Sequence, residues 1–246
     1  MKLAIYQMAD RGDAKANIDA AREAIIGCDT DFFLLPELFA LPGGDFKKEC
    51  TLEEAYQATG KPAFEMLLKA SLNLPGYLVG GTVIEKAADG YYNTCYVIKR
   101  GEIVAAYRKI NLTNEEIDMG LRPGNDLVTF DTHWGKAGLL VCFDVCKETR
   151  EELSAMCDLV LLPVGMSVPD HPKTEGHPLC EKLADRYGIT VVVVCRVGFY
   201  DGQPLITSPS AVVSPAGLQW EGSSSGEDFA VVSLDLEPVA RRAYQQ

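Results

Sequence analysis

Three side chains in this sequence are of types that together make and break acyl bonds. They are Glu37 in FFLLPELF, Lys109 in YRKINL and Cys142 in GLLVCFD. Each comes directly after an apolar run that reads as a strand, and α/β sheets present reactive groups at the C-terminal ends of their strands. A thiol between a buried strand and a charged helix meets helix N–H groups that favour the thiolate. A buried cysteine closing a strand is an equal account of Cys142 taken alone. Glu37 is flanked by Pro36, Leu38 and Phe39, and burial there raises a carboxyl pKa toward general-base duty. The plain alternative is an acid turned outward into a loop. Lys109 alone reads as an exposed strand-end lysine. As a set the three supply a base, a cation for developing negative charge and a nucleophile.

Short apolar strands alternate with amphipathic helices along the chain, and these must position the set. LAIYQM at 3–8 and FFLLP at 32–36 read as strands, with a helix over 14–28 between them that carries Ile18, Ala21, Ile25 and Cys28 on one face. Helices are expected over 52–56 and 63–72. YLVGGTVIE at 77–85 reads as one strand, and 94–99 with 103–108 as a hairpin. The second half repeats the logic: strands at 127–130 and 137–142, a helix over 147–156, a strand at 159–164, a helix over 179–187 and a strand at 190–195. SAVVSPAGLQW and FAVVSLDL look like a closing pair. FFLLP, LVLLPV and TVVVVC are apolar on both faces and must be covered on both. That gives an α/β fold, a four-layer α-β-β-α sandwich with two mixed sheets. No linker divides the chain, so one domain over 1–246 is expected.

Lys plus Arg is 23 and Asp plus Glu is 35, a net charge of −12. That argues against a nucleic-acid partner, which needs clustered Lys and Arg. No apolar run reaches the ~18 residues of a membrane span, and the short apolar stretch at the start is no signal peptide. The expectation is a soluble cytoplasmic protein. Its Cys95, Cys157 and Cys195, in or beside apolar runs, read as free buried thiols.

On LLPELF, YRKINL, GLLVCFD, the Arg122-Pro-Gly-Asn125 segment and SPSAVVSPAG, in that order and spacing, the chain resembles the nitrilase superfamily of carbon–nitrogen hydrolases, in an amidase-like branch. The resemblance spans roughly 2–236. It implies Glu37 as general base, Cys142 as the nucleophile that forms a thioester, and Lys109 with the backbone N–H of Phe143 as oxyanion donors. A second, supporting glutamate is implied before the Pro-Gly segment. Glu116 is the candidate and Glu115 competes with it. The resemblance also implies no metal or organic cofactor, and a homodimer or higher homo-oligomer.

After the nucleophile the family commonly has Cys-Tyr-Asp-x-Arg-Phe-Pro-Glu, and this chain has Cys-Phe-Asp-Val-Cys-Lys-Glu-Thr. Val145 and Cys146 cannot clamp a carboxylate as an arginine does. The segment 162–167 lacks the aromatic residue that often lines the pocket. The expected substrate is a small amide or N-carbamoyl compound, with neutral or cationic ones favoured. Nitrile hydrolysis by the same triad is an alternative. A second is a non-enzymatic thiol redox or binding protein using Cys142 and Cys146, and a metal-dependent phosphoesterase is a third. His171, His177 and Cys180 fit no common zinc spacing and are read as a loop.

Overall fold

The computed structural model describes residues 1–43, 50–165, 177–200, 203–206 and 208–235. His171 and residues 166–167 lie outside them. In chain order the elements are β1 (Lys2–Gln7), α1 (Ala14–Ile25), β2 (Phe32–Leu34), α2 (Leu52–Ala55), α3 (Lys61–Ser71), β3 (Tyr77–Val79), β4 (Val83–Ala87), β5 (Gly90–Lys99), β6 (Glu102–Arg108) and α4 (Asn114–Asp118). They continue with β7 (Thr129–Thr132), β8 (Gly135–Leu139), α5 (Thr149–Ser154), β9 (Leu159–Val164), α6 (Pro178–Tyr187), β10 (Thr190–Cys195), β11 (Gly198–Tyr200), β12 (Gln203–Leu205), β13 (Ala211–Ser214), β14 (Gly217–Glu221) and β15 (Asp228–Ser233).

The first sheet runs β15-β1-β2-β3-β5-β4, with β6 also on β5. The second runs β14-β13-β10-β9-β8-β7. Each has a parallel centre, β1-β2-β3 in one and β8-β9-β10 in the other, and antiparallel flanks. Alternation along the strands decides what meets what. Leu3, Ile5, Phe32 and Leu34 face Leu139, Leu161, Val192 and Val194 across the sheet–sheet core. Ala4 and Phe33 point the other way, onto Ile18 and Leu67 of the first helix layer. Val160 and Val193 do the same in the second sheet, against Leu153 and Leu183. This is the α-β-β-α sandwich that the doubly apolar runs demand.

Three local expectations change. YLVGGTVIE is two strands, not one: Gly81 has φ +58°, and a Cβ there would lie 2.0 Å from the Pro36 carbonyl oxygen. The chain turns at that glycine because only hydrogen fits so close to the backbone. The closing pair is a second correction. SAVVS and GLQWE form the hairpin β13–β14, whereas FAVVS, as β15, crosses to the first sheet and pairs with β1 in the register Lys2↔Ser233. The strand read over 137–142 ends at Leu139, and a 3₁₀ turn, Cys142–Cys146, leads into the expected helix, which is α5.

Candidate active site

Glu37, Lys109 and Cys142 come from three separate strand ends and meet in one place. Lys109 Nζ donates to Glu37 Oε1 at 2.8 Å and to Glu116 Oε2 at 2.8 Å. Lys109 is 1% exposed, and Glu37 and Glu116 are each 4% exposed, so the ammonium and both carboxylates are withdrawn from water. The Cys142 thiol hydrogen-bonds the Glu37 carboxylate and lies against the backbone N–H of Gly165. Asn93, fully buried in β5, donates from Nδ2 to Glu37 Oε1 at 2.9 Å and to Glu116 Oε1 at 2.7 Å.

Local structure explains how each side chain is held. Glu37 precedes Leu38, whose φ of +47° turns the chain sharply after β2. That turn is fastened on both sides: Leu38 N donates to Thr82 Oγ1 at 2.9 Å, and Arg196 Nη1 donates to the Leu38 carbonyl at 2.6 Å. Gly165 lies so close that a Cβ on it would be 2.8 Å from Glu37 Oε2. Glu116 is the third residue of α4, whose cap is Thr113. Its carboxylate accepts the Thr113 N–H at 2.8 Å in a capping box while also holding Lys109. Of the two competing glutamates, then, Glu116 lies in the cluster and Glu115 is exposed.

Cys142 has φ +46°. A non-glycine residue there costs about 1–3 kcal/mol and persists only where its surroundings hold it. Here they do. Asp144 accepts the Val141 N–H at 2.9 Å and the Tyr107 hydroxyl at 2.7 Å. It also accepts Asn111 N and Nδ2 at 2.8 and 2.9 Å, which ties the cysteine turn to the loop after Lys109. Phe143 follows the thiol half-buried in the first turn of the 3₁₀ helix, where backbone N–H groups have no partner within the helix.

The electrostatics correct one expectation. The Cys142 thiol is pushed well up, first by burial and then by the Glu37 carboxylate beside it, and Lys109 only partly opposes this. The shift favours the protonated thiol. Burial raises the Glu37 carboxyl as well; Lys109 opposes that shift and Glu116 reinforces it. Burial works against the Lys109 ammonium, but Glu37, Cys142 and Glu116 outweigh it and hold the charge firmly on.

Asn93, Asp144 and Tyr107 were not singled out from sequence. Asn93 carried one signal, a polar residue inside the strand YYNTCYVIK. Cys146 ends the 3₁₀ turn exposed. His177, read as loop, caps α6, and Cys180 lies in the helix expected over 179–187; both are buried. Cys95 and Cys195 are buried as expected and Cys157 is half-buried. Among the described residues no group of three or more His, Cys, Asp or Glu side chains is arranged to hold a metal, and no helix is long and apolar enough to cross a membrane.

The family model for carbon-nitrogen hydrolases matches residues 2–244. The chain belongs to that family. The Homo sapiens omega-amidase is 30% identical over 218 residues, which cover 84% of this chain and 77% of that protein. A hydrolase of Schizosaccharomyces pombe is 25% identical over 185 residues, 70% of this chain but only 57% of the relative's length. Among solved structures, an amidase from Nesterenkonia sp. superposes with a TM-score of 0.76 at 22% identity, covering 95% of this chain and 90% of that one. Its likeness is one of fold. Family membership makes this chain a hydrolase of carbon–nitrogen bonds.

Proposed function

We propose that this protein is a thiol amidohydrolase that cleaves the carbon–nitrogen bond of a small amide or N-carbamoyl compound through a Cys142 thioester. The observation that carries the reading is the buried cluster itself: one ammonium shared by two carboxylates, with the thiol hydrogen-bonded to the first. Glu37 takes the thiol proton as the sulfur attacks the carbonyl carbon. Lys109 and the Phe143 N–H receive the oxyanion. The carbon–nitrogen bond then breaks, and the proton held by Glu37 leaves on the ammonia or amine. Water, deprotonated by Glu37, attacks the thioester, releasing the acid and returning the proton to the thiol. Glu116 and Asn93 position Lys109 and Glu37.

The amidase names among the relatives support an amide as substrate. A neutral or cationic amide fits better than one with a nearby carboxylate, because Arg122, Arg150 and Arg196 are engaged elsewhere. Arg122 reaches Asp89, Arg150 binds the Val145 carbonyl, and Arg196 binds Asp10 and the Leu38 carbonyl. Within the same reading the chain is one catalytic domain over 1–246 acting as a cytoplasmic homo-oligomer. Its eight free thiols suit a reducing compartment.

The test is ammonia release from a panel of small amides. Cys142→Ala abolishes turnover with the fold intact, because a methyl group cannot attack a carbonyl, and Glu37→Gln lowers kcat by several orders of magnitude. Near-normal hydrolysis by Cys142→Ala overturns the mechanism.

A further inference from the structure

Glu37 and Cys142 stand on different sheets. Glu37 follows β2 of the first sheet; the thiol follows β8 of the second and lies against the Gly165 N–H just after β9. Their contact therefore depends on how the two sheets are set against each other at this end of the sandwich. A backbone seam joins the sheets there. Val197 N donates to the Met8 carbonyl and Asp10 N to the Val197 carbonyl, both at 3.0 Å, so the chain after β10 runs alongside the chain after β1.

Arg196 lies in that seam. Cys195 pairs with Val164 in the parallel ladder of β10 and β9, and Arg196 N donates to the Val164 carbonyl at 3.1 Å, which puts Arg196 beside Gly165. Its side chain is 1% exposed. Nη1 donates to the Leu38 carbonyl at 2.6 Å, and Nη2 pairs with Asp10 Oδ1 at 3.1 Å. Asp10 is itself held, by Asn17 Nδ2 at 2.8 Å and by the Gly12 N–H at 3.0 Å. The guanidinium fork is thus anchored at one side and grips the residue next to Glu37 at the other. Burying such a charge is expensive, and apolar side chains of similar volume often stabilise a core as well or better. Stability is therefore a weak account of this arginine. What a planar fork does better than an apolar side chain or a flexible ammonium is to hold two acceptors in a set geometry.

We propose that Arg196 is a positioning residue for the base: from the second sheet it fixes the Glu37 turn of the first, and with it the spacing between the Glu37 carboxylate and the Cys142 thiol. The proposal rests on the reading of Glu37 as base and Cys142 as nucleophile. The tolerance at that contact is small, because a Cβ on Gly165 would already be 2.8 Å from Glu37 Oε2. Misplacing a reacting group by about 1 Å can cost on the order of 100-fold in rate.

The experiment compares Arg196→Met with the double variant Arg196→Met/Asp10→Asn. The single variant leaves Asp10 without its counter-ion and should lower the urea midpoint. The double variant removes both charges and should regain most of that loss, so it carries the test where the single variant fails to fold. Activity should not follow stability. In the folded variants kcat on a small amide should stay about 100-fold below the parent, with KM within about twofold, because nothing holds the Leu38 carbonyl. The second readout needs no substrate: modification of Cys142 by methyl methanethiolsulfonate, followed across pH by peptide mass spectrometry. The Glu37 carboxylate is one of the groups that push this thiol up, so a slackened Glu37 turn should move the profile to lower pH. A double variant whose kcat recovers with its stability makes Arg196 a structural charge and overturns the proposal. So does a loss confined to KM, or a modification profile that coincides with the parent's; each of these leaves the thioester chemistry standing. A parent that releases ammonia from no amide, or a Cys142→Ala variant as active as the parent, overturns the chemistry and the proposal with it.

Discussion

Lys109 sits between two carboxylates with almost no water, so the charges of Glu37, Glu116 and Lys109 set one another. In the proposed mechanism Glu37 must be ionised to accept the thiol proton. Because burial raises its pKa, the acid limb of kcat/KM lies above the ordinary carboxylate range, and activity falls as pH drops through it. The negative charge of Glu116 adds to that rise. Glu116→Gln removes it, so Glu37 stays ionised to lower pH and the acid limb moves down. A pH–rate profile of the two proteins checks the direction. A limb that stays put or moves up would mean that Glu116 does not act on Glu37. That Glu37, Lys109 and Cys142 belong together was legible in the sequence because each lies in a short stretch of its own. Asn93 was not, because its two partners lie 56 and 23 residues away and nothing near it in the chain marks the contact.

At the scale of elements, the Cys142 turn depends on a single carboxylate. Asp144 joins the end of β8, the loop after β6 and the Tyr107 hydroxyl, and it is fully buried. Asp144→Ala leaves two backbone N–H groups without their acceptor. At about 1–3 kcal/mol for each unsatisfied group, stability falls by roughly 2–6 kcal/mol. Tyr107→Phe removes only one of these bonds and should cost about 1–2 kcal/mol. Urea unfolding of both variants measures the difference, and an equal, small loss in the two would remove Asp144 as the anchor of the turn. The glycine pair at 80–81 teaches a related lesson. Hydrophobicity alone read YLVGGTVIE as a single strand, because the reason for the break is the Pro36 carbonyl from another strand end. Gly81→Ala should therefore destabilise the fold and displace the Glu37 turn, lowering kcat as well as the unfolding midpoint.

For the whole molecule, the layered architecture was readable because runs such as LVLLPV and TVVVVC are apolar on both faces and have one way to be covered. The destination of FAVVS was not. Its alternating pattern suits any sheet edge, and its partner β1 lies at the other end of the chain. Net charge is a further whole-molecule property with a kinetic consequence. At −12 the protein attracts cations from beyond contact distance, and that attraction is screened as the Debye length shrinks from about 30 Å at 0.01 M salt to about 3 Å at 1 M. A cationic amide such as 4-aminobutyramide should lose several-fold in kcat/KM over that range, while neutral 4-hydroxybutyramide changes little. The two amides are similar in size and differ in charge, so the comparison isolates the long-range attraction. If both substrates respond equally to salt, the acidic surface does not steer.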